Sequence, residues 1–200
     1  MDELTIEAYD RSPERYATDW HTQPPPSDLY DLLTRYFRPG PTADVGCGAG
    51  RDTAWLQAHG FEAVGFDVSQ GLVAEARRRY PGTMFYEASL PELSGISDGV
   101  FENVLCETVI MHLPVPDIPP AVSRLLAILR AGGTLYLSWR VTDGQDQRDE
   151  DGRLYSAFVP SLVEDALGDA TVVHSSDSLS ASSGRRVYRL VVRKAVTPRP

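Results

Sequence analysis

The stretch Asp44-Val45-Gly46-Cys47-Gly48-Ala49-Gly50 carries three glycines at alternate positions, and an acidic residue stands two positions before the first of them. It follows a short strand-like run at 42–45 and precedes a helical pattern that starts at Arg51. Glycine lets a backbone turn tightly and approach a ligand closely. The stretch therefore predicts a strand-to-helix turn that can hold a small molecule against the main chain.

Strand-like and helix-like segments alternate from this turn onward. Strands are predicted at 42–45, 62–67, 83–87, 100–106, 134–141, 170–174 and 186–193, and helices after an N-cap at Ser27 and at 51–59, 70–80, 118–130 and 160–168. This alternation predicts a parallel α/β sheet with helices on both faces. Ligands of such sheets bind beyond the carboxyl ends of the strands, so the site is expected in the turns that follow them.

Composition and charge limit the class of protein. A net charge of −9 opposes a polyanion, so nucleic acid is not the expected partner, and a cationic or neutral small molecule fits better. No apolar run reaches the ~20 residues that span a bilayer. The acidic start Met1-Asp2-Glu3-Leu4 lacks a secretion signal, so a cytoplasmic location is expected. The two cysteines cannot form a four-ligand zinc site, and no metal is expected.

Two hundred residues suit one domain, which we place at 1–200. We divide it into an N-terminal lid segment at 1–26, a core at 27–194 and a flexible tail at 195–200. The hydrophilic segment 142–153 is predicted to be a mobile loop. Because it follows the fifth strand, it is expected on the ligand side, where it would help to select the substrate. The sequence does not indicate an oligomeric state.

A dinucleotide site is one alternative for the glycine turn. Its Gly-x-Gly-x-x-Gly pattern would require a glycine where Arg51 stands. Asp44 would also repel a pyrophosphate, whereas it would attract an ammonium group. A nicotinamide-dependent oxidoreductase therefore remains an alternative, although this chain lacks one glycine of the dinucleotide pattern.

Five segments, in order, resemble the class I S-adenosylmethionine-dependent methyltransferases. They are 44–50, Phe66-Asp67, Glu87-Ala88 with Leu90-Pro91, 101–105 and 129–133. Three of them depart from the family pattern. Glu87 stands where Asp is usual, with a spacing one residue shorter, Glu102 also stands where Asp is usual, and Ala131 replaces a proline.

The resemblance implies a Rossmann-like, doubly wound, seven-stranded and mostly parallel sheet with helices on both faces. It also implies transfer of a methyl group from S-adenosylmethionine to a small-molecule nucleophile by in-line displacement, with S-adenosylhomocysteine as product. A non-catalytic S-adenosylmethionine-binding module that serves a partner subunit is the alternative.

The resemblance also implies which residues hold the cofactor. Asp44 would attract its ammonium group, and the backbone of Gly46, Cys47 and Gly48 would approach its methionyl part and ribose. Asp67 would accept both ribose hydroxyls, which suits the two oxygens of a carboxylate.

Further cofactor contacts are expected around this centre. Val68 would pack on the adenine face, and Glu87 and Ala88 would flank the adenine edge. Arg51 would pair with the cofactor carboxylate or lie on the helix surface. The remaining candidates are Tyr16, for the same carboxylate, and Glu107, for the ammonium group.

The acceptor side is expected after the fourth and fifth strands. His112 is the candidate general base, with a pocket-lining role as its alternative. Tyr9 and Trp20 of the lid segment would wall the acceptor or simply pack, and Thr108 and Arg140 would contact it. Cys47 and Cys106 are interpreted as buried small residues, because no electropositive partner for a thiolate stands beside them in the sequence.

Overall fold

The computed structural model describes residues 1–196 and shows a seven-stranded sheet. Its strands are Pro41–Val45 (β1), Glu62–Asp67 (β2), Met84–Glu87 (β3), Phe101–Cys106 (β4), Leu129–Arg140 (β5), Thr171–Leu179 (β8) and Arg186–Arg193 (β9). Their order is β3-β2-β1-β4-β5-β9-β8, and among these seven β9 alone runs in the direction opposite to the other six. The predicted fold class is therefore confirmed.

Helices cover both faces of the sheet. They are Glu3–Arg11 (α1), Pro13–Thr22 (α2), Ser27–Tyr36 (α3), Arg51–Ala58 (α4), Gln70–Arg79 (α5), Ile118–Ile128 (α6) and Pro160–Asp165 (α7). The apolar stripes of α3 and α4 pack on one face with Leu105, whereas α6 and α7 pack on the other face with Val104 and Cys106. The side chains of neighbouring residues of β4 thus pack into opposite layers, because side chains alternate between the two faces of a strand.

Several element boundaries differ from the prediction, and three of these differences have a clear cause. Helix α6 ends at Ile128 and not at 130, because strand pairing with Phe101 begins at Leu129 and shifts register before Thr134. Ser27 is the first residue of α3 and not its N-cap, a position that Pro26 occupies without a side-chain hydrogen bond. Strand β8 extends to Leu179, five residues beyond its predicted end, because it pairs with β9 along that length.

The segment predicted as a mobile loop, 142–153, contains a strand. Gln147–Arg148 (β6) pairs antiparallel with Leu154–Tyr155 (β7) to form a small hairpin. Arg148 forms an ion pair with Asp2 at 2.8 Å, and Asp151 forms one with Arg15 at the same distance. These contacts fasten the hairpin to the lid segment, which consists of α1 and α2.

The described part of the chain ends shortly after β9. Ala195 and Val196 follow β9 without regular structure, and the rest of the tail predicted at 195–200 lies outside the described residues. Within residues 1–196 every helix is too short or too polar to cross a bilayer.

Candidate functional site

A cavity of about 200 Å³ opens at the carboxyl ends of β1, β2 and β4. The glycine turn at the end of β1 lines it, and Asp67 and Glu107 lie at the ends of β2 and β4, the two strands that flank β1. The lid segment supplies Tyr9 and Trp20 to the wall. The turns after successive strands therefore meet at one place, where the parallel sheet predicted a ligand site.

The glycine turn is closed tightly against its neighbours. Gly46 has a φ of +76°, and a Cβ atom there would lie 2.2 Å from Cγ2 of Val109. A Cβ atom on Gly48 would lie 2.9 Å from the ring of Trp20. A larger residue at either position would displace a side chain that walls the cavity, so these two glycines are required by both conformation and space.

Asp67 is held by a backbone N–H group at each carboxylate oxygen. One carboxylate oxygen accepts the N–H of Gly48 at 2.8 Å, and the other accepts the N–H of Ser69 at 2.9 Å. Ser69 itself caps α5, so Asp67 is not the helix N-cap. Burial raises the pKa of Asp67, and these backbone hydrogen bonds oppose that rise. Each oxygen keeps a second lone pair for a further donor.

Asp44 lies behind the cavity wall and is buried. Its Oδ2 accepts a 2.6 Å hydrogen bond from Oγ1 of Thr53, a residue in the first turn of α4 that the sequence did not single out. Burial, and then the negative charge of Asp52, raise the pKa of Asp44 to about 8. The carboxyl group is therefore mostly protonated at neutral pH, and it joins β1 to α4.

Arg51 lines the cavity but is engaged by the protein itself. Its Nε and Nη2 donate to the Asp52 carboxylate at 2.9 and 3.1 Å, and its Nη1 donates to the carbonyl of Trp20 at 3.3 Å. Tyr16 donates to Asp151 at 2.7 Å and is not among the lining residues. Arg51 thus joins the lid segment to α4, and Tyr16 joins the lid segment to the hairpin of β6 and β7.

The remaining predicted cofactor contacts divide into two groups. Val68, Ala88 and Glu107 line the cavity together with Cys47, whereas Glu87 is exposed and accepts a hydrogen bond from Gln70 at 3.0 Å. Burial raises the pKa of Glu107, which accepts a hydrogen bond from the Ser138 hydroxyl. The structure thus brings the first four residues together at the cavity and leaves Glu87 on the surface.

His112 is buried in the cavity wall, with both ring nitrogens engaged. Nδ1 lies 2.5 Å from the carbonyl oxygen of Leu154, which can only accept, so Nδ1 carries the proton. Nε2 then accepts the hydroxyl hydrogen of Tyr9 at 3.1 Å. Burial lowers the pKa of His112 to about 4, so the ring is neutral near pH 7.

The sequence places the loop 142–153 on the ligand side without singling out Arg153, and it misses Tyr155. Arg153 and Tyr155 line the cavity beside the predicted Arg140, Trp20 and Thr108. Tyr155 lies two residues beyond the predicted loop, where no sequence pattern marked it. The serines of the β8–β9 turn, outside every matched motif, also line the cavity: Ser180, Ser182 and Ser183.

The two cysteines are buried, as the sequence predicted. Burial raises the pKa of both Cys47 and Cys106 well above the usual value, so both are thiols at neutral pH. Within residues 1–196 no group of three His, Cys, Asp or Glu side chains is arranged to hold a metal ion.

Part of the chain is similar to known methyltransferases. Residues 43–133 match a family described as a methyltransferase domain. The chain is 37% identical over 103 residues to a trans-aconitate 2-methyltransferase of Methylobacterium nodulans, a match that covers 48% of this chain and 39% of the relative. It is 35% identical over 99 residues to a ubiquinone biosynthesis O-methyltransferase of Methylococcus capsulatus, covering 48% and 41%. The chain thus spans less than half the length of these relatives.

The fold is shared over a greater length. A 1,6-didemethyltoxoflavin-N1-methyltransferase of Burkholderia thailandensis superposes with a TM-score of 0.74, covering 96% of this chain and 88% of the other at 22% identity. An Anabaena variabilis methyltransferase also gives 0.74, covering 94% of each chain at 19% identity. These superpositions show that the chain has the fold of such methyltransferases, and its residues 43–133 are similar to the methyltransferase domain family.

Proposed function

We propose that this protein transfers a methyl group from S-adenosylmethionine to a small-molecule nucleophile. The observation that carries the proposal is the pairing of Asp67 with Gly48. A carboxylate at the end of β2 is held by the glycine turn at the end of β1, inside a cavity that also contains Glu107. S-adenosylmethionine supplies a methyl group on a sulfonium, which is a good leaving group.

The residues present fit that cofactor chemically. The ribose diol offers two donors, and Asp67 keeps an acceptor position on each oxygen. Val68 and Ala88 provide an apolar surface for the adenine, and Glu107 provides a half-buried acid for the ammonium group. Asp44 lies behind the wall and is mostly protonated at neutral pH, so we propose that its contribution to binding is smaller than that of Asp67.

The backbone of the glycine turn supports this cofactor over a dinucleotide. The N–H groups of Gly46 and Cys47 donate to the carbonyl of Phe66 at 2.7 and 3.0 Å, and that of Gly48 donates to Asp67. These donors are therefore not free to hold a pyrophosphate, which needs unpaired N–H groups at a helix start. Arg51 also stands where the Gly-x-Gly-x-x-Gly dinucleotide pattern requires its third glycine.

The contribution of the protein to the reaction is alignment and exclusion of water. Holding reactants in line can lower a barrier by roughly 7–11 kcal/mol in favourable cases. We propose that His112 orients Tyr9, because its Nε2 accepts from the Tyr9 hydroxyl and its Nδ1 is fixed by a carbonyl. This role replaces the general-base role as our preferred hypothesis for His112.

The test uses purified protein with isotopically labelled S-adenosylmethionine. Calorimetric titration with S-adenosylhomocysteine measures binding, and release of that product in the presence of an acceptor panel measures turnover. The panel includes trans-aconitate and a quinol head-group analogue, which the names of the two relatives suggest. Binding with turnover supports an enzyme, binding without turnover of any acceptor supports the module alternative, and no binding refutes the proposal.

A further inference from the structure

Acids and arginines both line the cavity. Asp52, Asp67 and Glu107 lie around the glycine turn, where the cofactor is proposed to bind. Of the lining arginines, Arg51 and Arg79 form ion pairs with Asp52 and Glu75. The other two, Arg140 at the end of β5 and Arg153 of the hairpin, lie together beside Tyr155.

The two guanidinium groups share one aromatic neighbour. Their central carbon atoms lie 5.0 Å (Arg140) and 5.9 Å (Arg153) from the centroid of the Tyr155 ring. Arg153 is also 4.9 Å from the Tyr16 ring and 5.4 Å from the Tyr9 ring. Such contacts restrict an arginine side chain and leave the edge of its guanidinium group available as a donor.

The charge of this cluster is not balanced within the described part of the chain. Arg153 pairs with Asp149 at 2.6 Å. Arg140 has no hydrogen-bond acceptor or ion-pair partner among residues 1–196, although it lines the cavity and is half-buried. His112, which lies nearby, is neutral and adds no charge. Arg140 thus brings one unpaired positive charge to the lining of this cavity, and it also lines a neighbouring surface cavity with Asp143 and Asp149.

We propose that the methyl acceptor carries a carboxylate, which Arg140 binds with Arg153 beside it. A guanidinium group and a carboxylate match in geometry and form charge-assisted hydrogen bonds. This local arrangement opposes the expectation from net charge that the acceptor is cationic or neutral. The inference rests on the proposed function and goes further, because it names the chemical class of the acceptor and the residue that selects it.

The experiment compares acids with their neutral amides. Three pairs, 4-hydroxybenzoate with 4-hydroxybenzamide, lactate with lactamide and fumarate with fumaramide, are titrated into the protein saturated with S-adenosylhomocysteine. At least one acid is expected to bind about tenfold more tightly than its amide. Arg140→Gln is expected to abolish that preference. Arg130→Gln is the matched control, because Arg130 lies exposed at the other end of β5 and away from the cavity.

The outcomes separate this inference from the proposed function. Failure of S-adenosylhomocysteine to bind refutes the proposed function itself. If it binds, equal affinity of acids and amides, or no binding of either, overturns the carboxylate inference alone. An acid preference that survives in Arg140→Gln also overturns it, provided that this variant binds S-adenosylhomocysteine as the wild type does, which shows that it is folded.

Discussion

Replacing Asp44 by Asn should make the protein more stable, and increasingly so as the pH rises. The carboxyl group is buried beneath the glycine turn, and its pKa is raised to about 8. In the unfolded chain the pKa of Asp is near 3.9. Between these two values the folded protein holds a proton that the unfolded chain has released, so the free energy of unfolding falls as pH rises.

The size of this effect follows from the pKa difference. The free energy of unfolding of the wild type falls by at most about 1.4 kcal/mol per pH unit. It is therefore lower by about 3 kcal/mol at pH 7 than at about pH 5. Asparagine does not ionise, and its carbonyl oxygen can still accept the hydrogen bond from Thr53. The free energy of unfolding of Asp44→Asn minus that of the wild type should therefore grow from about pH 5 to pH 8 and be constant above.

The assay is urea unfolding without cofactor, followed by circular dichroism at unit steps of pH. Asp31→Asn is the matched control, because Asp31 is an exposed carboxylate on α3, and its stability curve should run parallel to that of the wild type. A difference between Asp44→Asn and the wild type that does not change across this range would refute the reasoning. So would a variant less stable than the wild type at pH 8.

Three other predictions concern the cavity. Asp67→Ala should weaken S-adenosylhomocysteine binding at least about tenfold in calorimetry, because the ribose loses two acceptors, and wild-type affinity would contradict the assignment. His112→Asn should leave that affinity unchanged. In the wild type, since the pKa of His112 is about 4, its imidazole NMR signals should not shift between about pH 5.5 and 8, and a titration there would contradict the neutral ring. Gly46→Ala should cost about 1–3 kcal/mol in urea unfolding, because its Cβ would lie 2.2 Å from Val109. Gly82→Ala, with nothing within 4 Å of its Cβ, is the control, and equal losses in the two would refute the packing argument.

The sequence by itself determined the sheet and the place of the site. Alternating strands and helices fix a parallel sheet, because a crossover helix returns each strand in the same direction, and their ends then meet at one edge. The acid at the end of β1, the three glycines and the acid at the end of β2 are local signals. Each is readable without knowing what packs against it, and the structure brings Gly46, Gly48 and Asp67 into one cavity.

Only the tertiary structure decided which side chains reach that cavity. Asp44 lies behind the wall, Glu87 is on the surface, and Arg153 and Tyr155 come in from a hairpin more than eighty residues after Asp67. The hydrogen bonds of His112 with Tyr9 and with the Leu154 carbonyl also join three separate segments of the chain. Such contacts depend on how distant surfaces pack and exclude water, and burial then sets protonation. Neither the spacing of residues along the chain nor its net charge contains that information.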